Sequence, residues 1–150
     1  MAFSMPIPDF QNNGLLPPGG HVCTWTEINQ KMGFTEQRKR LLEGLKKMVE
    51  MLPEKHVVRR IIVDGSFAED KANPADIDLV LDVGVLADGT PEQTVVDWVS
   101  DRARVLKAEL GCDAYADDHD FVEDYWMGRQ FSHTRDGQEK GFLILEALPQ

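Results

Sequence analysis

The sequence predicts a single α/β (α+β) domain: a small mixed, twisted β-sheet with helices packed on it, and an extended N-terminal arm. Three observations carry that expectation. Apolar, β-branched runs at 57–63 and 77–83 read as buried strands. Two longer segments, 36–52 and 91–110, repeat their apolar residues at helical spacing behind capping residues. Residues 1–20 contain Pro6, Pro8, Gly14, Pro17, Pro18, Gly19 and Gly20, too many for a regular helix or a central strand. A length of 150 residues suits one domain, 1–150, with a sizeable core.

In chain order, residues 1–20 form the arm, with Phe10, Leu15 and Leu16 as apolar anchors; a frayed tail is the alternative. Thr24-Trp25-Thr26-Glu27 has capping-box spacing, so a short helix begins after Thr24 and stops near Gly33. Thr35 caps a helix from Glu36 to Leu52, closed by Pro53. Its stripe of Leu41, Leu42, Leu45, Met48, Val49 and Leu52 faces the core. The 57–63 strand follows, then Gly65-Ser66, a polar loop, and a strand starting with Asp76 and Asp78. Asp88-Gly89 marks a turn. Thr90-Pro91-Glu92-Gln93 combines an N-cap, a proline at the first helical position and a capping-box glutamine. That helix runs to Leu110, stops at Gly111, and buries Val95, Val99, Ala103, Leu106 and Leu110 with Trp98 beside them. Residues 111–117 read as a strand with Asp113, Tyr115 and Asp117 on one side. A turn at Asp118-His119-Asp120, a short helix over 121–131, a hairpin turn at Arg135-Asp136-Gly137 and a last strand over 141–147 complete the chain.

The net charge of −10 disfavours nucleic acid as a long-range partner, because phosphate contacts supply most of that affinity. The basic residues between Arg38 and Arg60 and the acidic run from Asp113 to Asp124 read as solvated surface before binding patches. Two cysteines, Cys23 and Cys112, lack metal-type spacing and suggest reduced thiols in a cytoplasmic protein. Neither a signal peptide nor a membrane-spanning run is recognisable. His21, His56, His119 and His133 are scattered and make no metal motif. Trp25, Trp98 and Trp126 suit packing, though Tyr125-Trp126 can also stack a base.

The chemistry concentrates in residues 57–83. On a strand, Asp76 and Asp78 project from the same face. Like carboxylates that close repel unless a positive charge lies between them, and a divalent cation with oxygen ligands, Mg²⁺ or Mn²⁺, meets that need. Gly65-Ser66, at the end of the preceding strand, lets backbone N–H groups and a hydroxyl approach a phosphate. Lys71 can reach a phosphate, or is simply a solvated loop lysine.

Gly65-Ser66 followed ten positions later by Asp76-Ile77-Asp78-Leu79 resembles the signature of the polymerase-β-like nucleotidyltransferase superfamily. Leu16-Pro17-Pro18-Gly19 and Lys140-Gly141 are similar to segments of a family of small bacterial and phage proteins related to the minimal nucleotidyltransferases. Asp64 departs from the superfamily pattern, which has an apolar residue before the glycine. The resemblance implies a nucleotidyltransferase-like fold and a third carboxylate on a neighbouring strand. Asp113 is the first choice for it and Asp117 the alternative. It further implies Mg²⁺ (or Mn²⁺) held by Asp76, Asp78 and Asp113, and an NTP such as ATP held by Gly65, Ser66 and Lys71. In-line transfer of a nucleoside monophosphate to a hydroxyl on a protein, RNA or small molecule is the expected reaction. A catalytically inactive binding module of the same fold, or one half of a toxin–antitoxin or phage-defence pair, are the alternatives.

Overall fold

The computed structural model describes residues 7–146 and 148. The first six residues of the expected arm, and Ala147 of the expected last strand, lie outside the described residues. Five strands form one sheet in the order β1-β5-β2-β3-β4. They are β1 (Gly19–Cys23), β2 (Arg60–Asp64), β3 (Ile77–Asp82), β4 (Cys112–Asp117) and β5 (Gly141–Leu145). The outer pairs β1–β5 and β3–β4 are parallel, and the central β5–β2–β3 pairings are antiparallel. The sheet is therefore mixed, with helices packed on it, as the sequence predicts. Among the described residues no helix is long and apolar enough to cross a membrane.

Three helices, α1 (Trp25–Met32), α2 (Glu36–Met51) and α3 (Pro91–Leu110), cover one face of the sheet. Each starts where its cap directs. Thr24 and Glu27 form a complete capping box, and the Thr35 hydroxyl accepts the Arg38 N–H at 3.2 Å. At Thr90 the box is half made: its hydroxyl accepts the Gln93 N–H, but the Gln93 side chain donates to Asp97 instead of turning back. The helices bury Ile28, Leu42, Leu45, Met48, Val95, Val99 and Leu106 against Ile61, Val63, Leu79, Leu81, Leu143 and Leu145. Ala103, expected in that core, is exposed. On α3 the buried stripe narrows to Val95, Val99 and Leu106, because the helix meets the sheet on one side only.

The other face carries a smaller cluster. Ile62, Val80, Phe142 and Ile144 pack under Val122, Trp126 and Phe131. Val122 and Trp126 come from a segment in which a turn of helix, α4 (His119–Phe121), widens into a π-helix (Val122–Gln130), and Phe131 caps its end; the sequence predicts a short helix over 121–131. The expected turn at Asp118 is instead the cap of α4, with the Asp118 carboxylate accepting the Phe121 N–H at 2.9 Å.

Strand boundaries differ from the sequence expectation at several points: β5 stops at Leu145, short of Glu146, β3 stops at Asp82 and β4 starts at Cys112. Gly19–Cys23, read as the end of the arm and its sequel, is an edge strand paired in register with Gly141–Leu145. Edge strands tolerate the Pro and Gly that precede it, which is why composition hid it. Lys55–Val57 is a turn of 3₁₀-helix, so the first central strand starts at Arg60. β3 starts at Ile77, leaving Asp76 just ahead of the strand. Ile7, Leu15 and Leu16 are buried, so the described part of the arm lies against the domain.

Candidate metal centre

Strand register decides which acids meet. Asp78 lies opposite Asp64 across the antiparallel β2–β3 pair and opposite Asp113 across the parallel β3–β4 pair. Residues directly opposite in a sheet project to the same face. Asp76, Asp78 and Asp113 each bring a carboxylate oxygen within 4.8 Å of the other two, a cluster that can hold a metal ion. Asp117, the alternative third acid, is four residues further along β4, opposite Asp82, and accepts a hydrogen bond from Trp126 Nε1 at 2.7 Å. It does not join the cluster.

The electrostatics are those of crowded acids. Burial, helped by a hydrogen bond to Asp113 and the charge of Asp76, pushes the Asp78 carboxyl up to about 7. Sequence reasoning missed Lys107, on α3, whose ammonium lies 3.7 Å from Asp76 and 3.8 Å from Asp113. Nothing in the helical pattern separates it from an ordinary exposed lysine.

Gly65 begins a short 3₁₀ turn (Gly65–Ala68) directly after β2. Its φ is +72°, and a Cβ there would sit 1.8 Å from Asp78 Oδ2. The backbone at Gly65 thus lies against the very carboxylate that the register delivers. Gly65→Ala should both strain the turn and push Asp78 aside, costing about 1–3 kcal/mol. Chemical denaturation checks this; an alanine variant as stable as the wild type would contradict the packing described.

The loop after the turn is held by Arg38, which is completely buried. Its guanidinium donates to the carbonyls of Phe67 and Lys71 at 2.8 Å, Met32 at 3.2 Å and Ser66 at 3.4 Å, and also to Glu69. It lies over the rings of Phe34 and Phe67. Lys71 pairs with Glu69 at 3.9 Å, and its side chain is not part of the acidic cluster.

Asp64 is buried, and burial pushes its carboxyl up to about 7 although Lys140 opposes the shift. Lys140, equally buried, reaches Asp64 at 3.0 Å and Glu69 at 3.3 Å. The unusual acid before Gly65 and the lysine near the C-terminus are therefore two halves of one ion pair. The Cys23 and Cys112 thiols are both buried and pushed up to about 12, which leaves neither suited to act as a nucleophile.

A second polar group closes the opposite end of the same face. Asp82 accepts from Arg60 at 2.7 Å and lies 3.0 Å from His119 Nδ1; Arg60 also pairs with Glu123 at 2.6 Å. Burial works against ionisation of Asp82, but these hydrogen bonds outweigh it and hold the carboxyl below its ordinary range. A hollow of about 310 Å³ lined by Arg59, Arg60, His119 and Glu146 adjoins this group.

Residues 8–146 match a family described as "Family of unknown function (DUF6932)". No curated protein and no solved structure matches the chain.

Proposed function

The chain belongs to the DUF6932 family, and from its acidic centre we propose that it is a Mg²⁺-dependent nucleotidyltransferase moving a nucleoside monophosphate from an NTP to an acceptor hydroxyl. One observation carries the reading: Asp76, Asp78 and Asp113 converge within 4.8 Å beside the Gly65-Ser66 turn. Oxygen ligands of this kind suit Mg²⁺ or Mn²⁺. When bound, the metal would activate the acceptor hydroxyl and neutralise charge on the departing pyrophosphate. The protein's own part is positioning. Asp76, Asp78 and Asp113 would hold the metal that draws in the reacting end of the nucleotide, and Ser66 and the Gly65 backbone receive its phosphates. Arg38 keeps that loop in shape, and Lys107 adds positive charge beside the same oxygens.

A second reading rests on Lys107. Its ammonium already offsets Asp76 and Asp113, as it would in a binding module that has no use for a metal. Calorimetry with an NTP and Mg²⁺ separates the two, because only the transferase reading requires metal-dependent nucleotide binding. The decisive experiment uses labelled NTPs, Mg²⁺ and a panel of protein, RNA and small-molecule acceptors. Transfer is expected from the wild type and not from Asp76→Ala or Asp78→Ala. Undiminished label transfer by those variants would sink the assignment.

A further inference from the structure

The face that carries the acidic cluster also carries an exposed aromatic platform that packing does not account for. Tyr115 follows Asp113 by two residues on β4, so its ring stands on the same side of the sheet, about 7 Å along the strand. It packs on Trp126 at 4.9 Å between ring centres, and Trp126 in turn meets Tyr125 at 5.0 Å. Phe121 and Tyr125 stack nearly parallel at 4.9 Å. Yet Tyr115 is 47 % exposed, Phe121 44 % and Tyr125 37 %. Large rings left in water as a contiguous patch mark a binding surface more often than isolated exposed residues do.

Resting on the transferase reading, we propose that this platform, led by Tyr115, stacks the base of the mononucleotide whose phosphates lie at Asp76, Asp78 and Asp113. Two features select that occupant. The platform is continuous with the acidic cluster along one strand, so a ribose can bridge from the phosphates to the ring. Residues 117–124, which include Phe121 of the platform, also bring Asp117, Asp118, Asp120, Glu123 and Asp124, of which Asp117 accepts from Trp126 and Glu123 pairs with Arg60, so that Asp118, Asp120 and Asp124 leave the segment net acidic. That rim tolerates an uncharged base but repels the phosphates of a polynucleotide. Stacking is tolerant of base identity, since every base offers a π-face. The site should therefore discriminate weakly among NTPs.

The test compares a non-hydrolysable ATP analogue with inorganic tripolyphosphate, each titrated with Mg²⁺ by calorimetry. The wild type should bind the analogue on the order of tenfold more tightly than tripolyphosphate. Tyr115→Ala should erase that difference while leaving tripolyphosphate binding intact, which also shows that the variant is folded. Tyr115→Phe should keep the difference, because it keeps the ring. Asp78→Asn should weaken both ligands. Equal affinity of the wild type for the two ligands would overturn the platform and spare the transferase reading. Loss of both ligands in Tyr115→Ala would also overturn it, by making Tyr115 a packing residue. Tighter binding of a single-stranded oligonucleotide than of the mononucleotide would overturn it in favour of a polymer. No metal-dependent binding of either ligand by the wild type would end both proposals together.

Discussion

Asp78→Asn should lower nucleotidyl transfer by at least ~10³-fold, about 4 kcal/mol of barrier, and at the same time make the metal-free protein more stable at alkaline pH. The two effects have one origin. Asp78 is the central acid, opposite both Asp64 and Asp113, so its charge matters most to a bound cation and is hardest to bear without one. Its carboxyl is raised to about 7 in the folded chain, by burial first and then by Asp113 and Asp76. A carboxyl raised on folding favours the native state while it is protonated. That contribution is complete below the ordinary carboxylate range, near pH 4, and is lost as the pH climbs through about 7. Asparagine mimics the protonated acid at every pH. Metal-free wild type and Asp78→Asn should therefore match in denaturation midpoint near pH 3, and the variant should pull ahead steadily above about pH 4, with the full gap open by pH 8. Added Mg²⁺ should reverse the order at pH 8, since it stabilises only the protein that binds it. A variant less stable than the wild type at pH 8 without metal would show that Asp78 serves the fold and not a cation.

Arg38→Met should destabilise the chain by about 3–5 kcal/mol, the largest loss expected from any single change considered. The side chain is of similar length and apolar, so packing is roughly kept. What is lost is a guanidinium that satisfies carbonyls from Met32, Ser66, Phe67, Glu69 and Lys71 in a place water does not reach. Burial lowers the guanidinium's pKa only to about 10, so it stays charged at neutral pH and all its donors remain in use. Arg38→Lys should recover little, because an ammonium has three donors and cannot fan them across one plane. Urea denaturation gives the stability. Nucleotide affinity at a temperature where the variant is still folded should fall too, as the Ser66–Lys71 loop loses its anchor. A loss under about 1 kcal/mol would mean that the loop's own backbone contacts hold it.

The local grammar of this fold is written in short stretches of sequence. Thr24, Thr35 and Thr90 start helices, Gly33 and Gly111 end two of them, and the 36–52 stripe sets what α2 buries, because caps and periodicity act within a few residues of chain. The pairing of Gly65-Ser66 with Asp76 and Asp78 is equally legible, since one hairpin-like unit contains all four. Register lies beyond that reach. Choosing Asp113 over Asp117 depends on how β4 slides against β3, and the two acids have the same parity along the strand, so no alternation rule separates them. The widening of the 121–131 helix to a π-helix follows from seating Val122, Trp126 and Phe131 on the sheet, which periodicity alone does not reveal.

By itself, then, the sequence determined α1, α2 and α3, the strands that carry the acids and the turn beside them, all products of contacts between near neighbours in the chain. Only the folded structure decided that Lys107 comes to Asp76 and Asp113, that Lys140 answers the anomalous Asp64, and that Arg38 holds the loop after Gly65. Each of these joins residues about 30 or more positions apart with one exception, Lys107 and Asp113. A buried charge must find its partner wherever the packed sheet and helices bring one, and linear spacing carries no record of that place.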